Sequence, residues 1–470
     1  MRIRLTLIFW LCLALATLLL AQAAREQTAR YLTHAEAQPV LQLMNEILPA
    51  ELKDKDARAQ AALWPAWVRQ QDAAVRARLR QGDEDTLINF LLFGVSFTPQ
   101  PRMTAAELAR FKAAPGASAL SAVFNARLND LLRGLAEPGT NERLIFLRKL
   151  VVREDRQPDT PAGRTNLREY VLTHLLRVLN EQEGYQRTLE AARAAGGANE
   201  EFIERSKLYR ARGLSLDTTL APNYAIEESL KALKARGLFK PTGVKKVAII
   251  GPGLDFTDKA GGYDFYPEQT LQPFALIDSL LRLGLSSAET LHVTAFDLSP
   301  RVLEHLTRAA QRATQGQAYT VQLLHDPQAQ WKPELLKYWQ GFGNQIGKAV
   351  TPSAVPEALK GLELRALRIN PASVARIHPV DLNIVFQRLP SAENFDLIIA
   401  TNILVYYDVF EQSLALSNIE SMLRTGGLLL SNNALLELPV LKMKSVGYQT
   451  TVYSERANDG DHIVWYQRAQ

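Results

Sequence analysis

The sequence is almost free of cysteine, since Cys12 is the only one among 470 residues. Cys12 lies in an apolar N-terminal run, so the rest of the chain offers no disulfide and no thiolate nucleophile or metal ligand. The seven histidines are not arranged at metal-ligand spacing, and the H-E-x-x-H pattern is absent. We therefore predict no metal site, and catalysis by a cysteine of the main body is excluded.

Other catalytic and binding signatures are missing too. The sequence contains neither a G-x-S-x-G nucleophile elbow nor a P-loop, so it gives no support for a hydrolase or an ATPase. The formal net charge of +5 is small for this length, and no dense Lys/Arg block is interleaved with aromatic residues. Nucleic acid is therefore not an expected partner. With 47% hydrophobic and 22% charged residues, the chain can bury sizeable cores.

The N-terminus has the layout of an export signal. Arg2 and Arg4 precede the uncharged run 5–20, and the small-x-small sequence Ala21-Gln22-Ala23 follows it. This order predicts a cleavable signal peptide at residues 1–23. A membrane anchor through residues 5–20 is the alternative. Because the basic end stays inside, both interpretations predict an exported protein of the bacterial envelope, either periplasmic or anchored and facing the periplasm.

Two domains are predicted behind this leader. Residues 25–240 carry apolar residues at helical spacing in separate segments such as "DAAVRARLRQ" (72–81) and "TLINFLLFGV" (86–95), which predicts an all-α domain. From residue 243 to 470, short apolar strands such as "KKVAIIG" and "FDLIIATNIL" alternate with amphipathic helices. That alternation predicts an α/β fold with a Rossmann-like, doubly wound sheet.

Two parts of the second domain depart from simple alternation. The runs "YQTTVYSE" (448–455) and "DHIVWYQR" (461–468) flank the turn sequence Asn458-Asp459-Gly460, which predicts a C-terminal antiparallel hairpin. Residues 325–380 contain several prolines and glycines, and we expect an insertion there around one further strand.

The stretch "VAIIGPGLDF" (247–256) predicts a buried strand that ends in a glycine turn. Gly251 and Gly253 allow the backbone to turn sharply and to approach a ligand closely. The third glycine of a dinucleotide fingerprint is replaced by Phe256, so a tight turn without a ligand is the alternative.

An acidic residue, Asp297, ends the next predicted strand, where a carboxylate can accept both hydroxyls of a ribose. Its alternative role is to cap the following helix. We expect Ser299, which directly precedes Pro300, to take that capping position and leave Asp297 to a ligand. The separation of 44 residues between Gly253 and Asp297 exceeds the usual ~20 because of the loop 255–270, which we expect to cover a bound cofactor.

Polar residues also follow the later strands at the same sheet edge. Asn402 comes directly after the strand of "FDLIIATNIL", and Asp381 follows the uncertain strand before it. Either side chain could hydrogen-bond an adenine edge. Ordinary loop capping is the alternative for both, and it is the favoured interpretation for Asp381.

The order of these pieces resembles that of class I methyltransferases that use S-adenosylmethionine. The resemblance covers residues 243–470 and includes the glycine turn, the acidic strand end, "FDLIIATNILVYYD", "LRTGGLLLSNN" and the hairpin. The stretches "ATNILVYYD" and "FDLSPRVLEHL" are similar to those of chemotaxis-receptor methyltransferases. The resemblance implies S-adenosylmethionine as the cofactor and an unidentified methyl acceptor or envelope protein as the partner.

The resemblance also implies roles for individual residues. Gly251 and Gly253 would face the methionine part, and Asp297 would hold the ribose. Asp381 would lie near the adenine, and Asn402 near the reacting methyl. One departure concerns Asp255, which stands where the family has a third glycine and would either reach the cofactor's amino group or obstruct binding. A second is Ile249, where the family often has an acid.

Three functions are consistent with these observations. The first is a methyltransferase in which the helical domain shapes access of the substrate. The second is a non-catalytic envelope module of the same fold, favoured by the leader because S-adenosylmethionine is a cytoplasmic cofactor. The third is a dinucleotide-dependent oxidoreductase, against which the C-terminal hairpin and "TNILVYYD" argue.

Overall fold

The computed structural model describes residues 29–104, 107–108, 110, 118–194, 213–215, 218–256, 262–390, 394–432, 434–456 and 459–469. For residues 118–121 and 182–194 it describes the backbone alone. The predicted signal peptide or anchor, residues 1–23, lies outside this part of the chain. Among the residues described, no helix has the length and apolar character needed to cross a membrane.

The helices fall into an N-terminal group and a group that alternates with strands. Within the described ranges they are α1 (His34–Leu43), α2 (Ala57–Phe93), α3 (Ser118–Ala136), α4 (Glu142–Arg153), α5 (Pro161–Ala194), α6 (Leu220–Ala235), α7 (Gln272–Arg282), α8 (Pro300–Thr314), α9 (Pro333–Gly341), α10 (Pro371–Val374) and α11 (Val409–Met422). Short 3-10 helices lie at Asn45–Ile47, Pro327–Ala329, Glu357–Leu359 and Leu404–Tyr406.

Three sheets are present in the same ranges. Their strands are β1 (Arg30–Tyr31), β2 (Lys246–Ile250), β3 (His292–Asp297), β4 (Tyr319–His325), β5 (Gly347–Val350), β6 (Glu363–Ile369), β7 (Ile377–Asp381), β8 (Gln387–Arg388), β9 (Phe395–Ala400), β10 (Leu423–Ser431), β11 (Met443–Val452) and β12 (Gly460–Arg468). The main sheet has seven strands, β4, β5 and β6 form a separate antiparallel sheet, and β1 pairs with β8.

The main sheet confirms the predicted α/β fold with its terminal hairpin. Its strands lie in the order β7-β3-β2-β9-β10-β12-β11. The first five are parallel, and in chain order they read third, second, first, fourth and fifth, which is the order of a doubly wound sheet. Strand β12 pairs antiparallel with both β10 and β11, so the predicted hairpin closes the sheet.

The sheet is covered on both faces, as its uninterrupted apolar strands require. Successive residues of β2 point to opposite sides: Val247 and Ile249 lie in one core, Ala248 and Ile250 in the other. The first core also contains residues of α6, α7 and α8, and the second contains residues of α1, α2 and α11. A third core, between α2, α3, α4 and α5, belongs to the helical half.

Packing crosses the expected domain boundary near residue 240. Helix α2 contributes Trp64, Trp67 and Val68 to the second core of the sheet, whereas its residues 87–93 lie in the core of the helical half. Helix α6 packs against the opposite face of the sheet. The segments predicted separately around residues 72–81 and 86–95 therefore belong to one helix of 37 residues.

The region 325–380 holds more strand than the one predicted. Strands β5 and β6 form an antiparallel sheet with β4, and β7 returns to the main sheet. The single additional strand that we predicted is β7, and the insertion before it is a small sheet of its own.

Helix α2 makes a backbone-to-backbone contact with the segment that leads into α6. A Cβ at Gly82 would lie 2.0 Å from the Leu214 carbonyl oxygen, and one at Gly213 would lie 2.3 Å from the Gly82 nitrogen. The Leu214 amide donates to the Arg78 carbonyl at 3.2 Å. A glycine inside a helix is unfavourable by roughly 0.5–1 kcal/mol relative to alanine. Gly82 is therefore explained by the lack of room for a side chain beside Leu214 and not by any preference for a helix.

We predict that Gly82→Ala lowers the free energy of unfolding by about 1–3 kcal/mol, because the methyl group collides with a backbone carbonyl. Chemical denaturation followed by circular dichroism measures the change. The matched control is Gly341→Ala in α9, where the nearest atom to the new Cβ, Arg282 Nη1, lies 3.5 Å away. The control should be neutral or slightly stabilising. Equal effects of the two substitutions would contradict the close approach.

Candidate active site

The glycine turn after β2 packs against the loop that follows β9. Gly251 and Gly253 both have positive φ angles, 68° and 67°, in the region that favours glycine. The Gly251 amide donates to the Phe296 carbonyl at 2.8 Å. A Cβ at Gly251 would lie 2.2 Å from Ile403 Cδ1. Close packing and backbone conformation thus both require glycine at this position.

Asp297 ends β3 beside this turn and is 6% exposed. Its Oδ1 accepts a hydrogen bond from the Ser299 amide at 2.8 Å. The expected division of roles is therefore wrong in one respect. Ser299 does occupy the N-cap position before Pro300, but its side chain makes no capping bond, and the carboxylate of Asp297 binds the free amide instead. One carboxylate caps the helix and also faces the cavity described below.

The environment of Asp297 favours its neutral form. Burial, with a smaller contribution from the charge of Asp381, raises its pKa to about 7. Hydrogen bonds from the amides of Ser299, Leu298 and Gly253 act in the opposite direction. The carboxyl therefore titrates near neutrality, well above the ordinary value of about 3.9.

Asn402 follows β9 in the left-handed conformation, with φ 58°, which asparagine tolerates better than most residues. It forms a reciprocal pair with Asn432. The backbone amide of Asn402 donates to Asn432 Oδ1 at 2.8 Å, and the side-chain Nδ2 of Asn432 donates to Asn402 Oδ1 at 2.6 Å. Asn432 comes directly after β10, so two neighbouring strand ends fix the orientation of Asn402.

These groups surround a cavity of about 180 Å³ at the carboxyl edge of the sheet. Four of the predicted residues line it, namely Gly251, Gly253, Asp297 and Asn402. The remaining walls come from both halves of the chain: Leu79, Leu214, Ser215, Thr218, Thr219, Pro222, Asn223, Ile250, Pro252, Gln272, Phe296, Leu298, Leu382, Ile384, Thr401, Ile403, Tyr406 and Tyr407.

The other two predicted residues have partners outside the cavity lining. Asp255 is 7% exposed, and its Oδ2 accepts from Tyr266 Oη at 2.8 Å and from Gln269 Nε2 at 2.9 Å. Burial raises the pKa of Asp255 to about 6. The side chain of Asp381 is half exposed, and its Oδ1 lies 2.7 Å from Arg76 Nη2. Cofactor binding by either residue stays a prediction.

That the long loop 255–270 covers a bound cofactor stays a prediction, since the structure describes only residues 255–256 and 262–270 of it. Its described residues are not among those that line the cavity; they lie in the seam with the helical half. Buried Arg143 donates to the carbonyls of Tyr266 at 2.6 Å and Asp255 at 3.0 Å. Asp264 accepts from the amides of Val95 and Ser96 at 2.7 and 2.9 Å. These bonds hold the loop against α4 and the end of α2.

Phe256 explains the missing third glycine of the dinucleotide fingerprint. It is 1% exposed and lies in the core of the helical half, 5.7 Å from the Phe90 ring. The Arg301 guanidinium lies 4.4 Å from its ring centre. The residue after the glycine turn therefore anchors the two halves to each other.

The part of the cavity wall that precedes β2 carries no recognisable binding motif in the sequence. Thr219 and Asn223 lie where α6 begins, and Asn223 Nδ2 donates to the Thr219 carbonyl at 2.7 Å. Asn223 is 4% exposed, and its Oδ1 has no hydrogen-bond partner among the described residues. The sequence "TTLAPNYA" signals a helix start, but only the tertiary structure places that start over the glycine turn.

No group of three or more His, Cys, Asp or Glu side chains in the described ranges could hold a metal ion. The polar groups of the candidate site are the backbone of the glycine turn, the buried carboxylate of Asp297 and the side-chain amide of Asn402.

The strand order and the terminal hairpin give the C-terminal half the doubly wound fold that the resemblance to class I methyltransferases predicted, with the glycine turn and Asp297 at the ends of adjacent strands. No protein-family model matches the chain, and no curated protein matches it. Among solved structures, the N-methyltransferase NodS of Bradyrhizobium japonicum WM9 is 15% identical, with a TM-score of 0.26; the match covers 52% of this chain and 98% of that chain.

Two further solved structures extend over more of the chain. Mitomycin 7-O-methyltransferase MmcR is 11% identical with a TM-score of 0.27, and the match covers 88% of this chain and 100% of that chain. The O-methyltransferase NcsB1, solved with S-adenosyl-L-homocysteine, is 12% identical with a TM-score of 0.26, over 85% of this chain and 96% of that chain. At these TM-scores no residue role or substrate is carried over, and the fold assignment rests on strand order.

We predict that Asp297 contributes a fall in the free energy of unfolding as the pH rises from about 4 to about 7, and that Asp297→Asn removes this contribution. The folded state keeps a proton on Asp297 in this range while the unfolded chain has lost it, so each rise in pH favours unfolding. Between pH 4 and pH 8, the difference in the free energy of unfolding between the wild type and Asp297→Asn should change by about 4 kcal/mol. Denaturation with urea between pH 4 and 8 measures it. Parallel curves for both proteins would contradict the raised pKa.

Proposed function

We propose that this protein is an S-adenosylmethionine-dependent methyltransferase whose cofactor binds in the cavity at the carboxyl edge of the sheet. The observation that carries the proposal is the joint placement of Gly251, Gly253 and the buried carboxylate of Asp297 around one cavity. A glycine turn and an acid at neighbouring strand ends form the usual recognition pair for a nucleoside in a doubly wound sheet.

The residues present fit such a cofactor in three respects. Gly251 and Gly253 have no side chains, so the turn presents its backbone to the cavity that both residues line. Apolar Phe296, Leu382 and Ile384 can pack against a purine beside Asp297. On the opposite side, the buried Oδ1 of Asn223 is an acceptor without a partner among the described residues, so it can receive a hydrogen bond from a ligand.

The cavity volume implies that the site adapts on binding. Sites for small molecules usually measure roughly 300–1,000 Å³, whereas this cavity measures about 180 Å³. Since the sheet edge is fixed by its ladder and α2 by its two cores, we expect side chains that line the cavity, such as Leu79, to change rotamer when the nucleoside enters.

Methyl transfer asks little of side-chain chemistry, since the main task of the chain is alignment. When bound, S-adenosylmethionine supplies an electrophilic methyl group on a sulfonium that leaves as a neutral thioether. Asp297 accepts hydrogen bonds from the ribose hydroxyls, and the glycine turn binds the methionine end of the cofactor. Asn402, whose orientation Asn432 fixes, lines the same cavity and can present its side-chain amide to the methyl acceptor. The walls exclude water.

We predict that the protein binds S-adenosylmethionine and S-adenosylhomocysteine, and that Asp297→Asn weakens both at least about tenfold because two charge-assisted hydrogen bonds are lost. Isothermal titration calorimetry at pH 8, where the carboxyl of Asp297 is mostly ionised, measures the affinities. The matched control is Ser299→Ala, two residues away, since the Ser299 side chain makes no capping bond. Its affinities should equal those of the wild type.

Three outcomes would redirect the proposal. Absence of binding heat at high micromolar ligand would favour the alternative, a non-catalytic envelope module that has lost cofactor use. Binding of NAD in place of the methyl donor would favour an oxidoreductase. Binding that survives Asp297→Asn unchanged would show that the nucleoside lies elsewhere.

We also propose that the protein is exported to the bacterial envelope, either as a periplasmic protein or anchored through residues 5–20. The support is the sequence of the leader alone. N-terminal sequencing of the protein purified from its native membrane and soluble fractions should find a start at Ala24 or Arg25. An intact Met1 in the membrane fraction would support the anchor, and an intact Met1 in the cytoplasmic fraction would contradict export.

A further inference from the structure

A buried carboxylate of the helical half lies beneath one wall of the cavity. Asp72 belongs to α2 and is 4% exposed. It accepts hydrogen bonds from Tyr31 Oη at 2.7 Å, from Arg76 Nε at 3.0 Å and from Asn383 Nδ2 at 2.8 Å. The last bond joins residues 311 positions apart in sequence and links α2 directly to the loop after β7.

Asn383 organises that loop, which runs from residue 382 to 386. It is completely buried, and its backbone amide donates to Gln387 Oε1 at 2.8 Å. Its Oδ1 accepts from the Val385 amide at 3.1 Å, and its carbonyl accepts from the Gln387 amide at 2.7 Å. The side chain therefore holds the loop in shape with its oxygen and attaches it to Asp72 with its nitrogen.

The same loop forms the wall next to Asp297. Leu382 and Ile384, on either side of Asn383, both line the cavity. The Leu382 amide donates to the carbonyl of Asp297 at 3.2 Å. A displacement of the loop therefore moves two apolar contacts of the nucleoside and disturbs the backbone of the residue assigned to the ribose.

Further bonds fix the loop relative to α2. Arg76 bridges Asp72 and Asp381, with 2.7 Å between its Nη2 and Asp381 Oδ1. Strand β1 pairs with β8, and the Leu32 amide donates to the Phe386 carbonyl at 2.9 Å. Tyr31, within β1, is the residue that also binds Asp72. The loop is thus held from the helical half through three separate contacts that converge on one carboxylate.

We infer that Asp72 is a positioning residue for the nucleoside end of the cavity: it fixes the loop 382–386, and hence Leu382 and Ile384, from the helical half. The inference rests on the proposed function, because it assigns the base of the nucleoside to this wall. It gives the helical half a part in cofactor binding in addition to any part in binding the acceptor. Asp72 touches no ligand itself.

The test is the affinity of Asp72→Asn for S-adenosylhomocysteine and for adenosine, at a temperature well below the melting point of each variant. In this variant the side chain has one acceptor oxygen in place of two and no charge opposite Arg76, so its bonds to the three donors Tyr31, Arg76 and Asn383 are weakened with little change in volume. We expect both ligands to bind at least about fivefold more weakly, by similar factors, because the defect lies at the nucleoside. The exchange variant Asp72→Asn/Asn383→Asp restores a donor opposite a carboxylate and should recover most of the affinity.

The matched control is Asp130→Asn. Asp130 is also a buried acid of the helical half, but it binds Thr98, at 2.5 Å, and Arg133, both within that half. We expect a lower melting temperature with unchanged affinity. If Asp72→Asn fails to fold, Arg76→Gln supplies the same readout through the Asp381 bridge.

The outcomes separate this inference from the proposed function. If the wild type binds neither ligand, both fail. If the wild type binds and Asp72→Asn, or Arg76→Gln in its place, binds within twofold of it, the proposed function stands and the positioning role is overturned. A loss of affinity that the exchange variant does not recover would also overturn it, because the Asp72–Asn383 pairing would not be the cause.

Discussion

The structure depends on a single continuous helix that belongs to two hydrophobic cores. At 1.5 Å per residue, the 37 residues of α2 extend over roughly 55 Å. Its first half places Trp64 and Trp67 under the main sheet, and its second half places Leu87 and Phe90 in the core of the helical half. Neither half can shift relative to the other without exposing apolar surface, so their mutual arrangement is fixed by burial.

The cavity follows from this constraint. On one side of it, α2 carries Asp72 and Arg76 to the loop after β7. Six residues after Arg76, Gly82 allows the segment at Leu214 to come close enough for that residue to enter the cavity wall. Near the end of α2, the loop after the glycine turn packs against the helical half, because Arg143 donates to the Asp255 carbonyl and Phe256 lies in the core of that half. The helical half is thus part of the site.

The sequence predicted well what local patterns determine. Alternating strands and helices give the parallel order, and the glycine turn and Asp297 fall at strand ends that meet by topology. Partners chosen over long distances were not predictable. Asp381 binds Arg76 from 305 positions away, and Asp255 is enclosed by its own loop. The continuity of α2 was also missed, because Gly82 and the acidic residues 83–85 interrupt the apolar pattern inside the helix. The small sheet of β4, β5 and β6 escaped prediction because its strands are bounded by prolines and glycines typical of loops.

The central claim is that the two halves together form a nucleoside site between the glycine turn and Asp297. A crystal structure of residues 25–470 grown with S-adenosylhomocysteine tests it most directly. We predict that the ribose lies within hydrogen-bonding distance of the Asp297 carboxylate and that the base lies between Leu382 and Phe296. The volume of the cavity should exceed about 180 Å³. Ligand density at another place, or an unchanged empty cavity at saturating ligand, would contradict the account.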